Sequence, residues 1–146
     1  MRPRLLPIHP RIRVGVPACL ALVAPAQAQD LGLDQVASYL LIVAASAGSE
    51  GRVACREMDM ALQLKKRGVS VDARANVAWA FTAAQARDYA QEGKLVVCTR
   101  RSLFGEGGTV AFERVGGRLV VFVNKANLER SGVKLPESFL RGAVQQ

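Results

Sequence analysis

Gly116-Gly117 stands between two runs that alternate in character, TVAFERV and RLVVFVN, and no other stretch limits the fold as strongly. A tight primed turn needs positive φ at both central residues, which glycine tolerates, so the pair predicts a β-hairpin. In the first run Val110, Phe112 and Arg114 share one face, with Thr109, Ala111 and Glu113 on the other. In the second, Leu119, Val121 and Val123 alternate with Val120, Phe122 and Asn124. Asn124 is then placed to cap a short helix that stops at Gly132.

Upstream the pattern predicts two β-α-β units. An opening helix over 34–46, with Asp34 or Asp30 as cap, is apolar nearly all round and so is expected to be buried. A strand at 52–55, a helix over 57–67 and an alternating strand at 69–73 follow. Lys65-Lys66-Arg67 in the last turn complement the helix dipole, and Gly68 ends it. Val77, Trp79 and Phe81 are expected on one face of the next strand, 76–81. Thr82 and Gln85 then form a T-x-x-Q capping box for a helix that ends by Gly93. KLVVCT, 94–99, is a continuous apolar run of the kind found in the middle of a parallel sheet. Right-handed crossovers place the helices against that sheet. Arg100 to Gly108 reads as a long irregular loop, and the hairpin as the antiparallel edge beyond it. A last helix opens at Leu135-Pro136-Glu137, with Phe139, Leu140 and Val144 facing inward. The expected fold class is α/β: a single-domain mixed sheet of two β-α-β units plus a C-terminal β-hairpin, flanked by helices.

The first 28 residues stand outside this pattern. Arg2, Arg4, Arg11 and Arg13 precede a mostly apolar stretch, Val14 to Ala24, and Ala26-Gln27-Ala28 is a small-x-small site. This predicts a cleavable secretory signal over 1–28, delivery to the periplasm, and a single domain over 29–146. The net charge of +8 then falls to +4, because four of the 20 basic residues leave with the leader and the 12 acidic ones stay. The remaining excess is spread along the chain, which does not suit a nucleic-acid partner. His9, the only histidine, also lies in the leader. The domain therefore lacks the commonest general base and transition-metal ligand, and no catalytic residue, metal or cofactor is expected. Two cysteines remain, Cys55 and Cys98. In an exported protein one pair suggests one disulfide, worth roughly 4 kcal/mol on the chain-entropy account; the alternative is two buried free thiols.

Gly105, Gly107 and Gly108 invite comparison with a phosphate loop, but this loop enters a strand instead of a helix and lacks the Walker lysine and hydroxyl. They fit a sharp turn with close backbone approach. Ser102 and Ser131 have no histidine to activate them. Arg100, Arg101 and Phe104 together have the composition of an interface hot spot and are the candidate partner contacts.

From Lys94 onward the order KLVVC, LFGEGG, TVAFERVGGRLVVFVN, ANLERSGVKL and ESFLRGA resembles the C-terminal half of the YfiR-like family of periplasmic proteins. The most specific parts are Phe104 with Gly107-Gly108, Phe122-Val123-Asn124 and Ser131-Gly132-Val133. Upstream, Val53-Ala54-Cys55, the Leu62/Leu64 helix and Gly68-Val69-Ser70-Val71 look like that family's first strand, helix and second strand. The resemblance implies a non-enzymatic regulator that is dimeric and disulfide-bonded. It would bind the periplasmic region of an inner-membrane diguanylate cyclase and hold it inactive, so that cyclic-di-GMP and biofilm formation rise on its release. Phe122, Asn124, Gly107, Gly108 and Gly132 would be structural. A rival expectation is a small-molecule or envelope-fragment binding module working with a sensor kinase or a transporter.

Overall fold

The computed structural model describes residues 31–146; the expected leader, with Cys19 and His9, lies outside the described residues. In chain order the elements are α1 (Leu33–Ser46), β1 (Arg52–Val53), α2 (Met58–Lys66), β2 (Ser70–Val71), β3 (Val77–Trp79), α3 (Ala83–Gln91) and β4 (Leu95–Cys98). A 3-10 helix (Arg101–Glu106) then leads to β5 (Val110–Val115), β6 (Arg118–Val123), α4 (Lys125–Ser131), α5 (Glu137–Arg141) and β7 (Val144–Gln145).

The strands form a parallel pair, β1-β2, and a five-stranded sheet ordered β3-β4-β5-β6-β7. The two are joined at Ala54, which bridges Ala78 in parallel. Its N–H donates to Val77 O at 2.8 Å, and its carbonyl accepts from Trp79 N at 2.9 Å. Across the molecule the strands thus read 2-1-3-4-5-6-7. All pairings from β2 to β5 are parallel, β5 and β6 are antiparallel, and β7 joins β6 in parallel. This is the α/β fold the sequence predicts, with helices on both faces of a mixed sheet.

Alternation along the strands divides the core. Val53, Val77, Trp79, Leu95, Val97, Val110, Phe112 and Val123 pack with α1 and α2 in the main cluster. On the other face Ala54, Ala78, Ala80 and Val96 receive Ala86 and Tyr89 of α3. Beside them Cys98, Ala111 and Phe122 meet Leu103 of the 3-10 helix. β4 is buried along its whole length, as its apolar run requires of a strand covered on both faces.

Gly116 and Gly117 have φ of 59° and 80°, so the hairpin closes through the expected primed turn. Asn124 caps α4, accepting from Asn127 N at 2.9 Å, and Gly132 ends it at φ 69°. Gln85 N donates to Thr82 Oγ1 at 3.2 Å, and Gln85 Oε1 reaches back to Phe81 N at 2.8 Å. The back-bond of this box is one residue earlier than the simplest form.

Several expectations are corrected. Gly32, not an aspartate, stands at the N-cap of α1. That helix is amphipathic, with one face buried and Ile42 52% exposed, because only its sheet-facing side finds apolar partners. Phe81 lies past the end of β3 and is 54% exposed, so it does not share the inward face of Val77 and Trp79. The expected irregular loop winds into the 3-10 helix. Val144 belongs to β7 and is exposed, so the hairpin is not the sheet edge.

Candidate functional site

Cys55 and Cys98 are both free thiols, which corrects the expected disulfide. The reason is topological. Cys55 packs against the main cluster on the α1/α2 face, whereas Cys98 sits in the cluster under the 3-10 helix on the opposite face. Strands β1 and β4 are also separated by β3, so the two cysteines are about 9.5 Å apart across the sheet before the face is considered. A disulfide needs Cα atoms within roughly 7 Å and converging Cβ vectors. Each sulfur instead meets local carbonyls: Cys55 that of Glu57 at 3.4 Å, Cys98 those of Arg100 and Val110 at 3.5 Å. Burial raises the Cys55 thiol and pushes Cys98 up to about 12, so neither is primed as a nucleophile.

The three expected contact residues have different fates. Arg101 is engaged within the molecule. Its Nε donates to Glu113 Oε1 at 3.2 Å, its main-chain N–H donates to Glu113 Oε2, and its guanidinium lies 3.9 Å from the Phe122 ring centroid. Phe104 is half-buried against the Cys98/Phe122 cluster, so its ring is used in packing. Arg100 remains exposed, with Nη2 donating to Phe81 O at 3.3 Å.

The glycines after them do act structurally. A Cβ on Gly107, at φ 105°, would come within 2.5 Å of Ala90 Cβ; one on Gly108 would meet Leu103 O at 2.9 Å and Cys98 Sγ at 3.1 Å. Asn127, buried and not singled out by sequence, fastens this segment. Its amide donates to Phe104 O at 2.9 Å and to Gly108 O at 2.8 Å. The polar position in an otherwise ordinary short helix gave no signal of this.

A sheet ordered 2-1-3-4-5 places its topological switch between β1 and β3, where such folds commonly bind ligands at the carboxyl ends of the strands. Here the molecule's own side chains bridge that crevice. Gln85 Nε2 donates to Glu57 Oε1 at 2.9 Å, and Arg56 pairs with Asp88 at 2.9 Å while lying over the Tyr89 ring. One strand further along there is an open groove. Phe81, Thr99, Arg100, Arg101, Ser102 and Glu113 line it, and it reaches Leu31 and Gln146. Among the described residues no three of His, Cys, Asp and Glu gather as a metal site. No described helix is long and apolar enough to cross a membrane.

No family model matches the chain, and no curated protein matches it in sequence. Solved structures share its fold. A conserved domain protein from Vibrio cholerae O1 biovar El Tor superposes with a TM-score of 0.55 at 12% identity, over 77% of this chain and 59% of its own. An ABC domain from Streptococcus pneumoniae, solved in complex with L-Trp, gives a TM-score of 0.52 at 12% identity, over 75% and 61%. The chain thus spans about three fifths of the length of these neighbours.

Proposed function

We propose that this chain is a non-enzymatic periplasmic regulator, exported by a leader over 1–28, that binds an inner-membrane signalling protein and holds it inactive. The partner class is a diguanylate cyclase. The observation that carries this is the run of motifs from KLVVC to ESFLRGA, in the order of the YfiR-like family. Arg100 and the exposed Phe81 beside it are the contact residues, with Arg101 and Glu113 as a fixed rim. Binding favours the partner's off state, and release follows when a signal weakens the complex. The chain acts as a homodimer in this reading. Deleting the gene raises cyclic-di-GMP, and a pull-down from envelope extract recovers a membrane cyclase; unchanged cyclic-di-GMP in the deletion strain overturns the proposal.

The open groove at the carboxyl ends of β3 and β4 favours a second reading, a binding module for a small molecule that works with a sensor kinase or a transporter. A receptor or histidine kinase encoded next to the gene, in place of a membrane cyclase, would favour it.

A further inference from the structure

We propose that the groove beside β3 and β4 is a receptor for a carboxylate carried on an apolar body. Arg100 takes the carboxylate, and the Phe81 ring receives the body. The groove lies on the surface assigned above to partner contact, yet its ligand chemistry stands apart from the regulatory reading.

Ligands of open α/β sheets sit outside the carboxyl ends of parallel strands, where Phe81 and Thr99 to Ser102 leave β3 and β4. A phenylalanine ring more than half exposed there is an apolar surface without a cover. Arg100 is held against that residue by its bond to Phe81 O, which uses one donor of the guanidinium fork. Of the two arginines that line the groove, Arg101 is paired with Glu113, whereas Arg100 has no carboxylate within 4.0 Å among the described residues. Thr99 and Ser102 line the same groove.

The next residue shows this chemistry already realised. Arg101 lies over the Phe122 ring and takes the Glu113 carboxylate with its side chain and main-chain N–H. Arg100 and Phe81 also bring an arginine and an aromatic residue together, here through the Phe81 carbonyl and without a carboxylate. An arginine fork makes strong, charge-assisted bonds to that group, and Arg100 is the groove arginine whose charge no described carboxylate already offsets.

A small organic acid and the carboxyl terminus of a peptide carry the same chemistry. The test is an amide-resolved NMR titration with hexanoate, hexanol and hexylamine, and with N-acetyl-leucyl-leucine and its C-terminal amide. Saturable shifts at Phe81–Thr82 and Thr99–Ser102 with hexanoate, absent with hexanol and hexylamine, support the proposal. Arg100→Ala weakens hexanoate binding by roughly ten-fold or more, and Arg100→Lys restores part of it. Phe81→Ala weakens hexanoate but not acetate. Tighter binding of the dipeptide acid than of hexanoate, with its amide inert, assigns the source to a chain terminus; the reverse order assigns it to a small acid. Both side chains are exposed, so the variants fold, and far-UV circular dichroism checks this. No saturable response to hexanoate, equal binding by Arg100→Ala, or equal binding of hexylamine overturns the proposal. Because no partner is present, the outcome is independent of the cyclic-di-GMP measurement.

Discussion

Asn127 ties α4 to the segment that leads into the hairpin, because both hydrogens of its amide reach main-chain carbonyls. Asn127→Ala leaves those two acceptors without their partner and costs about 1–3 kcal/mol in urea unfolding. Asn127→Asp costs more, since a carboxylate oxygen then faces carbonyl oxygens. Cys98 gives a second residue-scale prediction. Burial holds its folded pKa well above the unfolded thiol, so the folded state binds the proton more tightly. Its contribution to stability is present below pH about 9 and is lost as pH rises toward about 12. The fall in unfolding free energy over that window is therefore smaller in Cys98→Ala than in the native chain. Neither role was legible in the sequence. A polar residue in a short helix reads as a surface position, and a paired count of cysteines reads as a bridge until the sheet assigns them faces.

Elements were legible where their signal is local. The hairpin declared itself because its turn and alternation lie within sixteen residues, and the Thr82–Gln85 box because it spans four. Gly117→Ala meets no atom within 4 Å and carries only the strain of φ 80°, whereas Gly107→Ala adds a Cβ 2.5 Å from Ala90 Cβ. The first lowers stability by about 1 kcal/mol, and the second by a larger amount, read from thermal melts of the two variants. Where signals are not local, the sequence misled. β7 is two residues long and is a strand only because β6 offers it a free edge. The 3-10 helix leaves no apolar period to read, being only six residues long. Phe81 continued an alternating pattern, but the chain had already turned toward α3. The candidate site shows this most: Arg100 is exposed on the segment after β4, but Phe81 faces outward against the alternation, and Phe104 is half-buried in packing.

At the scale of the molecule, the class of fold was readable because a buried β4 run and two β-α-β patterns leave few arrangements. The strand order was not, since the β1–β3 junction rests on Ala54 alone, with no pattern of its own. One whole-molecule prediction concerns reductant. With Cys55 and Cys98 on opposite faces there is no bridge to break, so the melting temperature of the protein is the same with and without dithiothreitol. A drop on reduction would show a disulfide. A second concerns hydrogen exchange. Amides of β4, paired on both sides, exchange last, and those of β1 and β2 exchange through a smaller opening of their own. A single exchange free energy across all strands would rule out that separate unit.

Cys55 stands one residue beyond the Ala54 junction, half-buried and one hydrogen bond from its surroundings. Whenever that corner parts from β3, a thiol is uncovered. With a reagent too bulky to reach the half-buried sulfur in the closed state, and in such excess that every uncovered thiol is captured before the corner recloses, the labelling rate equals the opening rate. The protein carries a clock for its own weakest seam, and a ligand or partner that slows the clock is one that grips both sides of it.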